Sequence, residues 1–273
     1  MKPVAFDYCR PPDVEAAIAA LRGAGGAGKL IAGGQSLGPM LNLRLARPAL
    51  LIDISGLPEL REIRDLGAHW RIGAGVTHAE LEDGGTPLGA HGMVPEVARQ
   101  IAYRAIRNRG TVGGSLAHAD PAADWPLALA ACNAVLAVHG PRGSREIAAA
   151  ELMITAFTTV LEDDEIIVAI DLPKPRPASR WGYFKLCRKV GEFPVASAAV
   201  VRDGEASRVF LGALADRPRP LPGLARRIAQ EAAPIDGAAL LQAVAEAAPE
   251  IDDIDRRIYA ACLARALDQA MRP

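Results

Sequence analysis

Two glycine clusters in the 273-residue chain have the composition to hold a phosphate. Residues 23–39 read GAGGAGKLIAGGQSLGP, and residues 111–124 read TVGGSLAHADPAAD. Glycine lets a backbone come close to a phosphate, and the start of a following helix adds free N–H groups and a positive dipole end. GAGGAG (23–28) spells G-x-G-x-x-G. GAGGAGKL falls one residue short of G-x-x-x-x-G-K-[ST], with Leu30 in place of the hydroxyl that would hold magnesium. Both motifs require a strand before the glycines and a helix after them. Here a helical pattern precedes and a strand-like KLI follows, so GAGGAG reads as a helix stop and turn.

IAGGQSLGPM has the required order: a short apolar strand, two glycines, then a helix that Ser36 could cap. TVGGSL repeats the idea eighty residues later, with Gly113 and Gly114 followed by Ser115. Two such loops could close on one elongated ligand, such as a dinucleotide bridged by a diphosphate. Asp124 then reads as an acceptor for ligand hydroxyls or an adenine amine, or as the cap of the helix beginning near Trp125. Arg104, Arg107 and Arg109 read as neutralising the diphosphate, as steering a redox partner, or as a solvated helix end.

Other chemistry is sparse. The cysteines at 9, 132, 187 and 262 show no C-x-x-C or cluster-type spacing, so neither iron–sulfur, zinc nor a disulfide framework is expected. The histidines at 69, 78, 91, 118 and 139 show no H-x-x-H or H-E-x-x-H pattern, so no metal site is expected. His118, beside Asp120, reads as a solvent-facing loop residue or as a ligand-contacting, proton-managing one. No general acid or base is nominated. With 31 basic and 32 acidic residues, the net charge of −1 gives no reason to expect nucleic acid as a partner. There is no apolar run long enough for a transmembrane helix, and MKPVAFDYCRPPD has no apolar core before its prolines. A cytoplasmic protein is expected.

The elements that must position these loops follow from periodicity. Val14, Ile18 and Leu21 share a helical face behind an Asp13 cap. A helix through PMLNLRLA should run to Pro48, ALLIDI (49–54) reads as a buried strand, and HWRIGAGV (69–76) as another. Thr77 and Glu80 have capping-box spacing, and a helix over 94–103 leads into the second loop. Another helix (WPLALAACN), a strand pair (AVLAVHG and REIAAAE) and EIIVAIDLP follow. PKPRPAS (173–179) reads as a linker. Beyond it, WGYFKLCRK, VASAAVVRDG and SRVFLGALA read as antiparallel strands, with Asp203–Gly204 as a hairpin turn, before two or three terminal helices. Trp70, Trp125 and Trp181 read as core or interface anchors.

AGGQSLGPMLNLRLARP with LIDI, IRNRGTVGGSLAHADPAADWP, EIIVAIDLP and WGYFKLCRKVGEFPVASAA occur in an order that resembles the FAD-binding medium subunits of molybdenum hydroxylases. The carbon monoxide dehydrogenase and nicotine dehydrogenase types are the nearest in kind, and the FAD domain of xanthine dehydrogenase is a more distant one. The resemblance spans nearly the whole chain. It implies an α+β fold: a two-lobed FAD-binding domain of PCMH type at 1–173, with lobes of about 1–55 and 56–173. A C-terminal domain at 174–273 would hold a three-stranded antiparallel sheet and a helical bundle.

The resemblance implies that Ala32, Gly33, Gly34, Gln35, Ser36 and Leu37, together with Thr111, Gly113, Gly114 and Ser115, wrap the FAD pyrophosphate. It implies further contacts from Ile101 or Ala102, Asp124 and Ile167, and places Lys185 near the flavin. Phe193 would shield one isoalloxazine face, in a position where relatives often carry tyrosine or an aliphatic residue. Ser115 stands where many relatives have asparagine. The implied partners are a large molybdopterin-binding subunit, a small [2Fe–2S] subunit and an external electron acceptor, all separate from this chain. The role would be electron transfer, with the isoalloxazine carrying the redox chemistry. Two alternatives stand beside it: a self-sufficient FAD oxidase or dehydrogenase with its own small organic substrate, and an assembly module that has lost FAD.

Overall fold

The computed structural model describes residues 2–89, 92–230 and 235–272. A short parallel sheet comes first. It is built from β1 (Asp7–Cys9), β2 (Gly28–Ile31) and β3 (Leu50–Asp53), in the order β1-β3-β2. Helix α1 (Val14–Gly23) crosses over it, and Asp13 caps α1 by accepting from the Ala16 N–H at 2.8 Å. Val14, Ala17, Ile18 and Leu21 are the buried residues of α1, packed on Ile52 and Ile54. Helix α2 (Leu37–Asn42) leaves the C-terminal end of β2.

α2 stops well before Pro48. The Leu45 N–H donates to the Met40 carbonyl at 2.9 Å and the Arg44 N–H to Leu41 at 3.0 Å, a Schellman closure with Arg44 at φ 59°. Arginine occupies the left-handed position that glycine usually marks, so the periodic pattern runs on past the true helix end.

A five-stranded antiparallel sheet follows, in the order β4-β5-β10-β6-β7. Its strands are β4 (Ile63–Asp65), β5 (His69–Gly73), β6 (Val135–Gly140), β7 (Gly143–Ala148) and β10 (Ile166–Pro173). Between β5 and β6 run α3 (His78–Glu82), α4 (Met93–Gln100), α5 (Arg104–Arg107), α6 (Val112–His118) and α7 (Asp124–Ala131). The capping box at α3 forms as the spacing predicts, with Thr77 and Glu80 bonded both ways. β8 (Met153–Thr155) and β9 (Thr158–Thr159) make a small hairpin.

The third sheet holds β11 (Arg180–Leu186), β12 (Ala196–Arg202), β13 (Arg208–Gly212) and β14 (Arg219–Pro220), in sequence order. The resemblance implied three strands. The fourth is a two-residue strip at the sheet edge, where Pro220 needs no ladder donor, and a segment so short and proline-rich gives no strand signal. The β12–β13 connection spans 203–207, so Asp203–Gly204 opens a five-residue turn and is not a two-residue hairpin loop. Helices α8 (Pro222–Gln230), α9 (Gly237–Ala247) and α10 (Asp253–Met271) follow, with α10 packed on β11 and β12.

Every residue of α7 is buried. It lies between the five-stranded sheet and the third sheet, so the main core runs from Ile72, Leu136 and Ile170 through Trp125 to Tyr183, Ala199 and Phe210. Arg208 on β13 donates to the Ala131 carbonyl at 2.7 Å, tying the end of α7 to the third sheet. Among the described residues no helix is long and apolar enough to cross a membrane.

Candidate functional site: two glycine elements in contact

Ala32 to Ser36 turn the chain from β2 into α2. Gly33 lies against the approach to the second glycine element. A Cβ placed on it would sit 1.9 Å from the Arg109 carbonyl oxygen and 2.8 Å from the Gly110 Cα. Only glycine permits that approach. The Gln35 side chain braces the turn by donating to the Gly33 carbonyl at 2.9 Å. The N–H groups of Gly33, Gly34, Gln35 and Ser36 have no acceptor among the described residues. Four neighbouring unpaired backbone donors are the kind of group that binds an anion. α2 has only six residues, so the donors and not a helix dipole are what this loop offers. Ser36 makes no side-chain capping bond, and its expected role as a cap is corrected accordingly. Leu37 opens α2 half-exposed.

The second glycine pair is not in a loop. Gly113 and Gly114 belong to the first turn of α6, which Thr111 caps by accepting from the Gly114 N–H at 3.1 Å. The Val112 N–H donates to Val76, Gly113 to Ala74 and Ser115 to Thr111. These donors are therefore already paired, and the second element contributes surface more than free N–H groups. Gly114 is exposed and Ser115 half-buried. A Cβ on Gly114 would come 3.8 Å from the Ala32 methyl, so the two elements meet there as well.

Asp124 does not cap α7: it occupies the first helical position, and Ala123 is the cap. Its Oδ1 accepts from the Tyr183 hydroxyl and from Lys185 Nζ at 2.8 Å. Lys185 also donates to the Gln100 carbonyl at 2.9 Å. Burial pushes the Asp124 carboxyl above its ordinary value, against the pull of Lys185 and Tyr183. Burial and the neighbouring carboxylate push Tyr183 well above its ordinary value. Two residues implied by the resemblance, Asp124 and Lys185, thus meet each other directly.

Ile101 and Ala102 follow Gln100, with Ala102 at φ 41°. Arg107 donates to both of their carbonyls, at 2.9 and 3.1 Å, while pairing in fork fashion with Glu82. Arg104 pairs with Asp83 and Glu82. Those two arginines are committed to carboxylates. The exposed Arg109 side chain has no hydrogen-bond or ion-pair partner among the described residues. Ile167 is 5% exposed and packed in the main core, so its side chain offers no ligand-facing surface. Its neighbour Val168 accepts from the Ala74 N–H, and Ala74 in turn accepts from Gly113, so β10 supports the second element from beneath. Phe193 is 64% exposed in the β11–β12 connection.

Sequence reasoning missed His78. It is 5% exposed, accepts the Trp125 indole N–H on Nδ1 at 3.1 Å, and donates its backbone N–H to the Gly110 carbonyl at 2.9 Å. Burial, with a smaller contribution from Arg107, pushes its imidazole down to about 4. Its place beside the capping box was legible, whereas its contact with Gly110 crosses 32 residues and leaves no local signal. His118 lies against Phe157 with the rings tilted by 48° and their centres 5.2 Å apart. His91 lies outside the described residues. The four cysteines are free, and no metal-ligating cluster occurs among the described residues.

Residues 4–175 match the family described as the FAD binding domain in molybdopterin dehydrogenase. The nicotine 6-hydroxylase medium subunit of Paenarthrobacter nicotinovorans is 40% identical over 209 residues, covering 77% of this chain and 73% of that protein. The carbon monoxide dehydrogenase medium chain of Hydrogenophaga pseudoflava is 39% identical over 201 residues, covering 74% and 70%. A solved structure of carbon monoxide dehydrogenase from Hydrogenophaga pseudoflava that lacks the Mo-pyranopterin moiety matches with a TM-score of 0.90. The identity is 33%, with 99% of this chain and 98% of that chain covered.

Proposed function

The chain belongs to the family of FAD binding domains in molybdopterin dehydrogenases, and on that premise we propose that it is the electron-transfer subunit of a heteromeric molybdenum hydroxylase. It is an oxidoreductase subunit whose cofactor is FAD. In this reading it takes electrons from the iron–sulfur clusters of a small partner subunit and passes them to an external acceptor. A large molybdopterin-binding subunit carries out the hydroxylation, and the assembly works in the cytoplasm. FAD supplies a redox centre that exchanges electrons one or two at a time, and the chain supplies its place and electrostatics.

The observation that carries the proposal is the contact between Gly33 and Arg109–Gly110, which sets four unpaired N–H donors against the second glycine element. A diphosphate needs such donors, and Gly33 to Ser36 would hold it with Ala32 and Leu37 at the margins. Thr111, Gly113, Gly114 and Ser115 would form the opposite wall. Ile101 and Ala102, braced by Arg107, and the Asp124–Lys185 pair would line the flavin end, with Phe193 over one isoalloxazine face. Ile167 would act only through its backbone.

The same reading divides the chain at the proline-rich segment after β10. Residues 1–173 would form the FAD-binding domain, with lobes meeting near residue 55, and residues 174–273 the second domain. Reconstitution tests the function: the purified chain should take up FAD noncovalently and gain visible flavin absorbance. A chain that stays colourless, or whose flavin a small organic substrate reduces without any partner, would overturn the proposal.

A further inference from the structure

Four residues from distant parts of the chain stack in order from the main core to the first glycine loop: Trp125, His78, Gly110 and Gly33. Trp125 is fully buried in α7 next to Asp124, and its ring lies 5.8 Å from that of His78 at 46°. An indole nitrogen can only donate, so Nδ1 of His78 is the acceptor and the ring proton sits on Nε2. That edge is pressed against Gly110, where a Cβ would lie 2.8 Å from Nε2 and 2.9 Å from Cδ2. On its other side Gly110 meets Gly33, at 2.8 Å from where a Gly33 Cβ would be. The His78 backbone N–H also holds the Gly110 carbonyl, and Thr77 bridges to Thr111.

We propose that His78 is a positioning residue for the flavin: bonded to Trp125 and wedged against Gly110, its imidazole sets where the second glycine element stands relative to the first. The proposal rests on the reading that these elements hold FAD. Nothing between His78 and the first loop can be shortened, because both intervening contacts are between backbone atoms or through a residue without a side chain. A ring of another shape, or one that no longer accepts from Trp125, shifts Gly110 and with it the carbonyl of Arg109 that Gly33 faces. The charged group acting on the ring from a neighbouring element is Arg107 of α5. Glu82, on the same helix as His78, is engaged by Arg104 and Arg107. Burial and Arg107 thus favour the neutral ring.

The test compares His78→Asn with His78→Leu in the full chain. An asparagine amide oxygen lies close to where Nδ1 was and can accept from Trp125, whereas leucine keeps bulk and cannot. FAD dissociation constants are measured by fluorescence titration at neutral pH, and urea unfolding of the flavin-free chains is followed in parallel. His78→Leu, which loses both the acceptor and the edge against Gly110, should weaken FAD by about tenfold or more, and His78→Asn, which keeps the acceptor but not that edge, by an intermediate factor of about threefold. Equal affinity in the two variants, whether tight or weak, overturns the proposal, since it removes the acceptor from the account. If His78→Leu fails to fold, Trp125→Phe removes the donor together with part of the indole's bulk, and it should then weaken FAD by about threefold or more. Unchanged affinity there also overturns the proposal. Failure of the unaltered chain to bind FAD would instead overturn the flavin assignment on which the proposal rests.

Discussion

Asp124 and Lys185 form a buried ion pair that joins α7 to β11, with Oδ1 2.8 Å from Nζ and each side chain 7% exposed. Two further bonds support the pair: Tyr183 donates to the same carboxylate oxygen, and Lys185 donates to the Gln100 carbonyl. Such a pair is not a large net stabiliser, because two charges lose their hydration to form it. Removing one partner, however, strands the other. Asp124→Asn and Lys185→Met should each cost about 3–5 kcal/mol, and the double variant less than the sum. Urea unfolding of the four chains gives the coupling directly. A coupling near zero would show that the two groups do not depend on each other.

Gly33→Ala tests the contact between the glycine elements. The added methyl lands 1.9 Å from the Arg109 carbonyl oxygen, and backbone on both sides leaves it nowhere to go. The variant should bind FAD about tenfold or more weakly. Gly38→Ala is the control, since a Cβ there meets nothing within 4 Å, and it should bind FAD as the unaltered chain does. Equal FAD titrations for the two variants would remove the close approach from the account of binding.

The contrast between these glycines shows what the sequence could and could not reveal. AGGQSL was legible as a turn because a strand precedes it and a helix follows. That Gly33 must be glycine is not local information, since the atom it would strike belongs to residue 109. GAGGAG, which satisfies a phosphate motif letter by letter, was readable as a helix end, and α1 does end at Gly23. The second pair misled in the other direction: Gly-Gly discouraged a helix, yet Thr111 caps one and its N–H groups are consumed internally. Arg107 also defied a local reading. As part of a basic run it resembled a solvated helix end, but its side chain is 11% exposed and braces Ile101 and Ala102. Periodicity reports which face is buried, and it carries no record of partners brought in from distant segments.

His78 makes stability depend on acidity in a window that can be stated. Its folded value is pushed down to about 4 from an ordinary 6.5, so the unfolded chain binds the proton more readily. The contribution is fully present above pH 6.5 and is lost as pH falls toward 4. The shift corresponds to about 3 kcal/mol at most. Carboxylates titrate over part of the same range, so the comparison must be with His78→Asn, which has no ring to protonate. Unfolding free energies measured across that range should fall more steeply for the unaltered chain. Parallel curves would mean that His78 is charged, or exposed, in the folded state.

Phe193 separates the site from the scaffold. It stands 64% exposed in a connection closed at its base by the Val195 N–H donating to the Leu186 carbonyl at 2.8 Å. It belongs to none of the three buried clusters. Phe193→Ala should therefore change unfolding free energy by no more than about 0.5 kcal/mol. If the ring covers one isoalloxazine face, as proposed, a tyrosine in its place would set an electron-donating phenol against the flavin, where phenylalanine and alanine supply no such donor. Phe193→Tyr should therefore dim the emission of bound FAD relative to the unaltered chain, and Phe193→Ala should not. Emission of bound FAD that is the same in all three chains would place Phe193 away from the flavin, and a large loss of stability would place it in a core that the fold does not show.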